Sequence, residues 1–163
     1  MLKIIITGPE SSGKTTLCKE LSKYFKIPFT KEFAREYLTN LDKDYTQNDL
    51  SEIAKGQLAS EHNFQLLDTD LITIKIWSEY KYGNCEKWIL DTIEKQKTEK
   101  RFYFLCKPDI AWESDPLREN PTNKNELFEL YKNELEDLEY NYLIVKGENR
   151  VETSISKFSN LIS

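Results

Sequence analysis

Apolar positions along this chain switch repeatedly between two spacings. Leu2, Ile4, Ile5 and Ile6 form a nearly continuous run before Thr7, which suits a strand covered on both faces. Over residues 13–25 the spacing changes, and Leu17, Cys18, Leu21 and Phe25 fall on one stripe of a helix. A short second strand is expected at about 27–30, opened by Pro28, and a helix near Phe33. Another helix begins at Thr46, where Thr46-x-x-Asp49 resembles a capping box and Leu50, Ile53, Ala54 and Leu58 share a face. A third strand at 64–67 runs into Asp68-Thr69-Asp70. Leu71, Ile74, Ile76 and Trp77 mark the helix after it, which Gly83-Asn84 ends. A helix over 86–97, an apolar strand at 102–106 and a polar, proline-containing loop over 107–122 come next. Leu127, Phe128, Tyr131, Leu135 and Leu138 then mark a helix, 142–145 a fifth strand, and Val151, Ile155, Phe158, Leu161 and Ile162 a final helix. Alternating strands and helices predict an α/β fold, one doubly wound parallel sheet covered on both sides.

One turn in this pattern carries chemistry. Residues 8–15 read GPESSGKT, between the first strand and the first helix. This is G-x-x-x-x-G-K-[ST] in the context that gives it meaning. Gly8 and Gly13 let the backbone bend and bring N–H groups close to an anion. The helix that follows aims its positive dipole end at the same place. The expected ATP-binding set is Gly8, Glu10, Ser11, Ser12, Gly13, Lys14, Thr15 and Thr16. Lys14 reaches the β- and γ-phosphates, and the Thr15 hydroxyl ligates Mg²⁺.

Three further groups are candidates. Asp68 ends an apolar strand, as does the acid that organises Mg²⁺ through water in P-loop proteins, although aspartate also ends strands as a turn former. Asp70 is either a site acid or the cap of the next helix. Glu32 and Arg35 follow the second strand, on the side where open α/β sheets bind ligands. A carboxylate there can accept a hydroxyl proton during phosphoryl transfer, with Glu32 the first choice of base and Asp68 the second. The alternative for Glu32 is a charged helix start with surface ion pairs. The loop after the fourth strand holds Asp109, Trp112 and Arg118, a composition that suits a lid supplying a cation. Its alternative is an ordered surface loop with Trp112 packed as satellite core.

The bulk numbers narrow the choice. A chain of 163 residues with 39% hydrophobic and 31% charged residues suits one domain, 1–163, with a real core. The formal charge of −5 argues against a nucleic-acid binder. Neither a membrane span nor a leader pattern is present, so a cytoplasmic location is expected. Cys18, Cys85 and Cys106 lack C-x-x-C spacing, and His62, read as the last residue of a helix, makes no metal cluster with them.

Taken together, GPESSGKT (8–15), EFAREYL (32–38), IAKGQ (53–57), DTD (68–70), IWSEYKYG (76–83) and KPDIAWESDPLREN (107–120) resemble the ribosylnicotinamide kinase domain of the NadR family. The stretches run in family order and span most of the chain. The resemblance implies a three-layer α/β/α P-loop fold with strand order 2-3-1-4-5 and a lid loop. It implies a kinase that uses ATP and Mg²⁺ to phosphorylate nicotinamide riboside to nicotinamide mononucleotide. Arg118 would then stabilise the transferring phosphoryl group, and Gly147 to Arg150 would lie on the adenine side. Substrate contacts are expected from Glu32, Arg35, Asp68, Asp70, Trp77, Asp109 and Trp112. A fixed pyridinium charge suits aromatic faces such as Trp77, Tyr80, Tyr82 or Trp112. Family members often carry an adenylyltransferase domain, and some a DNA-binding domain, ahead of the kinase. This sequence opens at its first strand, so neither is expected. Two rivals stand beside this reading: a kinase of the same fold for another nucleoside or thiamine, and a nucleotide-sensing module that transfers nothing.

Overall fold

Ile4, Ile5 and Ile6 are all fully buried, as a strand with both faces covered requires. They belong to β1 (Lys3–Thr7), the middle strand of the sheet. The computed structural model describes residues 1–109 and 123–163. The remaining strands are β2 (Phe29–Thr30), β3 (Leu66–Asp68), β4 (Arg101–Cys106) and β5 (Asn141–Val145). All pairs are parallel, in the order β2-β3-β1-β4-β5. The helices are α1 (Lys14–Phe25), α2 (Phe33–Thr39), α3 (Gln47–Ser60), α4 (Leu71–Tyr82), α5 (Lys87–Gln96), α6 (Lys124–Asp137) and α7 (Arg150–Ile162).

Strand alternation divides the core between two faces. Ile4, Ile6, Phe102 and Phe104 pack on Leu17, Cys18 and Leu21 of α1 and on Phe158 of α7. Ile5, Leu67, Tyr103 and Leu105 pack on Ile72 and Ile76 of α4 and on Phe128, Tyr131 and Leu135 of α6. A third cluster joins α2, α3, α4 and α5 through Ala34, Leu50, Ile53, Leu71, Ile74 and Ile89. The expected three-layer α/β/α fold, five parallel strands and strand order 2-3-1-4-5 are therefore observed.

Local signals account for most boundaries. Thr46 caps α3 in a complete capping box: its hydroxyl accepts from Asp49 N, and the Asp49 carboxylate accepts from Thr46 N at 2.8 Å. Gly83, at φ +81°, closes α4. Three expected edges move. The second strand is only Phe29–Thr30, because Ile27 N still donates to Ser22 O at the end of α1 and Pro28 has no N–H to give. The third strand begins at Leu66 instead of Phe64, because Phe64 N donates to Glu61 O in a turn. That turn also leaves His62 beyond the end of α3. Helix α2 lies close against α3 because position 56 is glycine: a Cβ there would meet the Phe33 ring at 2.2 Å.

Candidate active site

The turn after β1 folds as the sequence predicts. Gly8 has φ +141°, and a Cβ on it would sit 2.6 Å from Cys106 O. Only glycine lets the loop lie this close to β4. Gly13, at φ +85°, starts α1. Ser12 Oγ donates to Pro9 O at 2.7 Å within the loop. The Lys14 ammonium, nearly buried, donates to Gly8 O at 2.8 Å and to Pro9 O at 3.2 Å. The first turn of α1 has no acidic residue, so its dipole end keeps its attraction for an anion.

Two acids stand near this loop, one at the end of β3 and one just beyond β2. Thr15 Oγ1 donates to Asp68 Oδ2 at 2.8 Å, which joins the first turn of α1 to the end of β3. Asp68 N in turn donates to Thr30 Oγ1 on β2. Glu32 is the N-cap residue of α2, two positions beyond β2. Glu32 borders two cavities. A narrow cleft of about 20 Å³, room for roughly one water, is bordered by Glu10, Lys14, Glu32, Arg35, Leu38 and Trp77. A larger cavity of about 680 Å³ is bordered by Thr15, Lys19, Phe29, Glu32, Phe33, Arg35 and Asp68, among others. That volume is in the range of small-molecule sites. Lys19, Phe29 and Phe33 are not expected at the site from sequence; strand-to-helix proximity brings them there.

Oxygen donors at Thr15 and Asp68 suit Mg²⁺, a hard cation. It takes one or two protein oxygens and otherwise water and phosphate, so a denser acidic cluster is not required.

Other expected site residues lie elsewhere. Asp70 is fully buried and faces no cavity described above. One of its oxygens caps α4 by accepting from Ile72 N, and the other accepts from Arg101 Nη2 at 2.9 Å and Tyr103 O–H at 2.5 Å. Of the two readings given for Asp70, the helix cap is the one seen in its contacts. Arg101 also donates to the buried Glu61 carboxylate at 2.8 Å. Burial pushes the Glu61 carboxyl above its ordinary range, against the opposing pull of Arg101. The sequence does not disclose this network, since its members share neither an element nor a spacing.

Asp109, expected among the substrate contacts, has its contacts in the turn after β5. It accepts from Gly147 N at 2.8 Å and pairs with Arg150 Nη2. It therefore stands with the two residues expected on the adenine side, not with Glu32 and Trp77. Arg150 reaches further still: its Nη1 donates to Ser12 O in the phosphate loop at 2.7 Å. Of the candidate aromatics, Trp77 borders the cleft beside Glu32 and Lys14. Tyr80 O–H instead donates to Glu126 and accepts from Asn123, and Tyr82 O–H donates to Tyr45 O. Trp112 and Arg118 lie outside the described residues. Beneath the loop, burial pushes the Cys106 thiol up to about 12 and raises that of Cys18 as well. Among the described residues, no helix is long and apolar enough to cross a membrane.

A phosphate loop at the centre of a 2-3-1-4-5 parallel sheet, with carboxylates at the ends of β2 and β3, defines a P-loop nucleotide-binding fold. The chain belongs to the AAA domain family, whose model matches residues 3–152. A NadR protein in complex with NR shares the fold at TM-score 0.74 and 21% identity; the match covers 97% of this chain and 50% of that one. The deoxyadenosine kinase from M. mycoides, with dCMP and dCDP as products, matches at TM-score 0.61 and 17% identity, over 99% and 98%. The YorR protein of Bacillus subtilis, in complex with phosphorylated GDP, matches at TM-score 0.62 and 20% identity, over 99% and 95%. The chain spans about half the length of the NadR chains it matches. Comparison with curated proteins finds no match.

Proposed function

We propose that this protein is a kinase that moves the terminal phosphoryl group of ATP onto an alcohol, and that the alcohol is the 5′-hydroxyl of nicotinamide riboside. The observation that carries the reading is the position of Glu32. The residue borders both the narrow cleft that Lys14 lines and the larger cavity that Thr15 and Asp68 line. A base beside the phosphate loop is what transfer to an alcohol needs and what simple nucleotide binding does not. The acceptor oxygen bonds to the γ-phosphorus, the bond to the β,γ-bridging oxygen breaks, and the hydroxyl proton passes to Glu32. Lys14 and the loop backbone hold the phosphates. Thr15, with Asp68 through water, would hold Mg²⁺, which supplies positive charge against the phosphate oxygens. Trp77, at the cleft, offers an aromatic face to a pyridinium ring. NR in the similar NadR structure and the shared sequence motifs support this choice of acceptor. The reading puts the protein in the cytoplasm, in salvage of NAD, with Arg118 as a further cation at the phosphates.

Incubation with MgATP and a panel of acceptors, with ADP and product followed, tests it. Nicotinamide riboside is expected to give its mononucleotide with matching ADP. Turnover with another nucleoside or thiamine alone would replace the substrate. ATP binding with no acceptor-dependent ADP would favour a sensing module. Glu32→Gln is expected to spare ATP binding and slow turnover by about 10²–10⁴-fold.

A further inference from the structure

The two acids at the site stand on separate segments, and the side chain of Gln57 joins the backbones behind them. Gln57 lies in α3 and is 2% exposed. Its Oε1 accepts from Phe33 N, the first amide of α2 and the residue after Glu32, at 3.0 Å. Its Nε2 donates to Thr69 O, the residue after Asp68, at 3.3 Å. The orientation of the amide is dictated by its partners. A flipped group would face N–H against N–H and oxygen against oxygen. Phe33 N has no helical partner to use instead, because it is one of the free amides at a helix start.

Both segments need such a hold. Glu32, as N-cap, makes no side-chain capping hydrogen bond to α2, so nothing of that kind fixes its turn. Thr69 has φ +68°, a left-handed conformation that a β-branched residue adopts only when its surroundings impose it. Thr69 N donates to Ile6 O on β1, and Gln57 holds the carbonyl on its other side. One rigid amide thus sets the spacing between the segment that carries Glu32 and the segment that carries Asp68. The neighbouring Gly56 leaves room for Phe33 to lie against α3.

We infer that Gln57 is a positioning residue that fixes Glu32 and Asp68 relative to the phosphate loop. The inference rests on the kinase reading of the site. Gln57→Met keeps the length of the side chain and removes both hydrogen bonds. It is expected to lower kcat about 10–100-fold and to raise KM for MgATP only several-fold, by as much as the Mg²⁺ gain described below is lost. In a Glu32→Gln background the same change is expected to cost several-fold less than in wild type, since the base is already gone and only the placement of Asp68 is left to lose. An unchanged kcat in folded Gln57→Met protein overturns the inference. So does a loss of equal size in both backgrounds, which is the mark of a merely structural role. A second readout needs no turnover: affinity for a non-hydrolysable ATP analogue with Mg²⁺ and with EDTA. Gln57→Met is expected to reduce the gain from Mg²⁺ several-fold and to leave binding in EDTA unchanged. An unaltered gain counts against Gln57 even if the acceptor proves to be something else. A wild-type protein with no turnover and a Mg²⁺ gain that Gln57→Met abolishes would reject the kinase reading and keep the positioning role.

Discussion

Replacing Gly56 by alanine sets two effects against each other. Alanine in a helix interior is favoured over glycine by about 1 kcal/mol. The new Cβ would, however, lie 2.2 Å from Cε1 and Cζ of Phe33 and 2.6 Å from Cδ1, more than an ångström short of ordinary contact. Overpacking of this kind costs about 1–3 kcal/mol. Part of that cost is avoidable, because Phe33 also borders the larger cavity and its ring has space to retreat. The net expectation is a loss of about 0–2 kcal/mol. For a chain of this size, each kcal/mol shifts Tm by about 2–4 °C. Calorimetry of Gly56→Ala should therefore show an unchanged or lowered Tm. The clash is isolated by repeating the change with Phe33→Leu, where the smaller side chain should make Gly56→Ala neutral or stabilising. A Tm raised by the same few degrees in both backgrounds would refute the packing argument. Because Phe33 adjoins Glu32, Gly56→Ala should also lower kcat more than its effect on stability suggests.

Other expectations follow from single contacts. Asp49 accepts from Tyr37 O–H and from Thr46 N, which hold its carboxyl below the ordinary aspartate range. Its contribution is therefore present at neutral pH and is lost as pH falls through that lowered value. Asp49→Asn should cost about 1 kcal/mol at pH 7, and its Tm should converge with wild type as the medium is acidified below about pH 4. Arg101→Met leaves the Glu61 and Asp70 carboxylates buried without their cation, at a cost of about 3–5 kcal/mol, readable by urea titration. Burial raises all three thiols, Cys85 to about 11, so iodoacetamide at pH 7.5 should label the native protein slowly and the unfolded chain readily.

Features built from neighbours in sequence are legible without the fold. The GPESSGKT turn, the Thr46 capping box and the apolar strands each carry their signal within a few residues. The place of Glu32 just past the second strand, at the start of a helix, is legible in the same way. Asp70 shows where such reading stops. It is two positions from Asp68, and nothing local tells a site acid from a helix cap. The difference lies in Arg101 and Tyr103, which the β1–β3 and β1–β4 pairings together bring near. Asp109 follows a strand, which suggests the substrate side, yet β5 carries its partners Gly147 and Arg150 alongside. Gln57 is visible as part of a motif, but its two bonds are to backbone groups, which leave no trace in side-chain identity.

The bond from Arg150 to Ser12 O spans 138 positions and has a consequence for biosynthesis. The central strand β1 is made before both of its neighbours, so Ile4 meets Leu66 only once β3 has followed and Phe102 only once β4 has. Until then three isoleucines that end up inside the protein remain open to wrong partners, a setting in which chaperones matter. The last prop of the nucleotide cradle arrives later still, with the first residue of the final helix. Release of ribosomes stalled before and after codon 150, followed by capture on immobilised ATP, should therefore separate an unfinished cradle from a finished one.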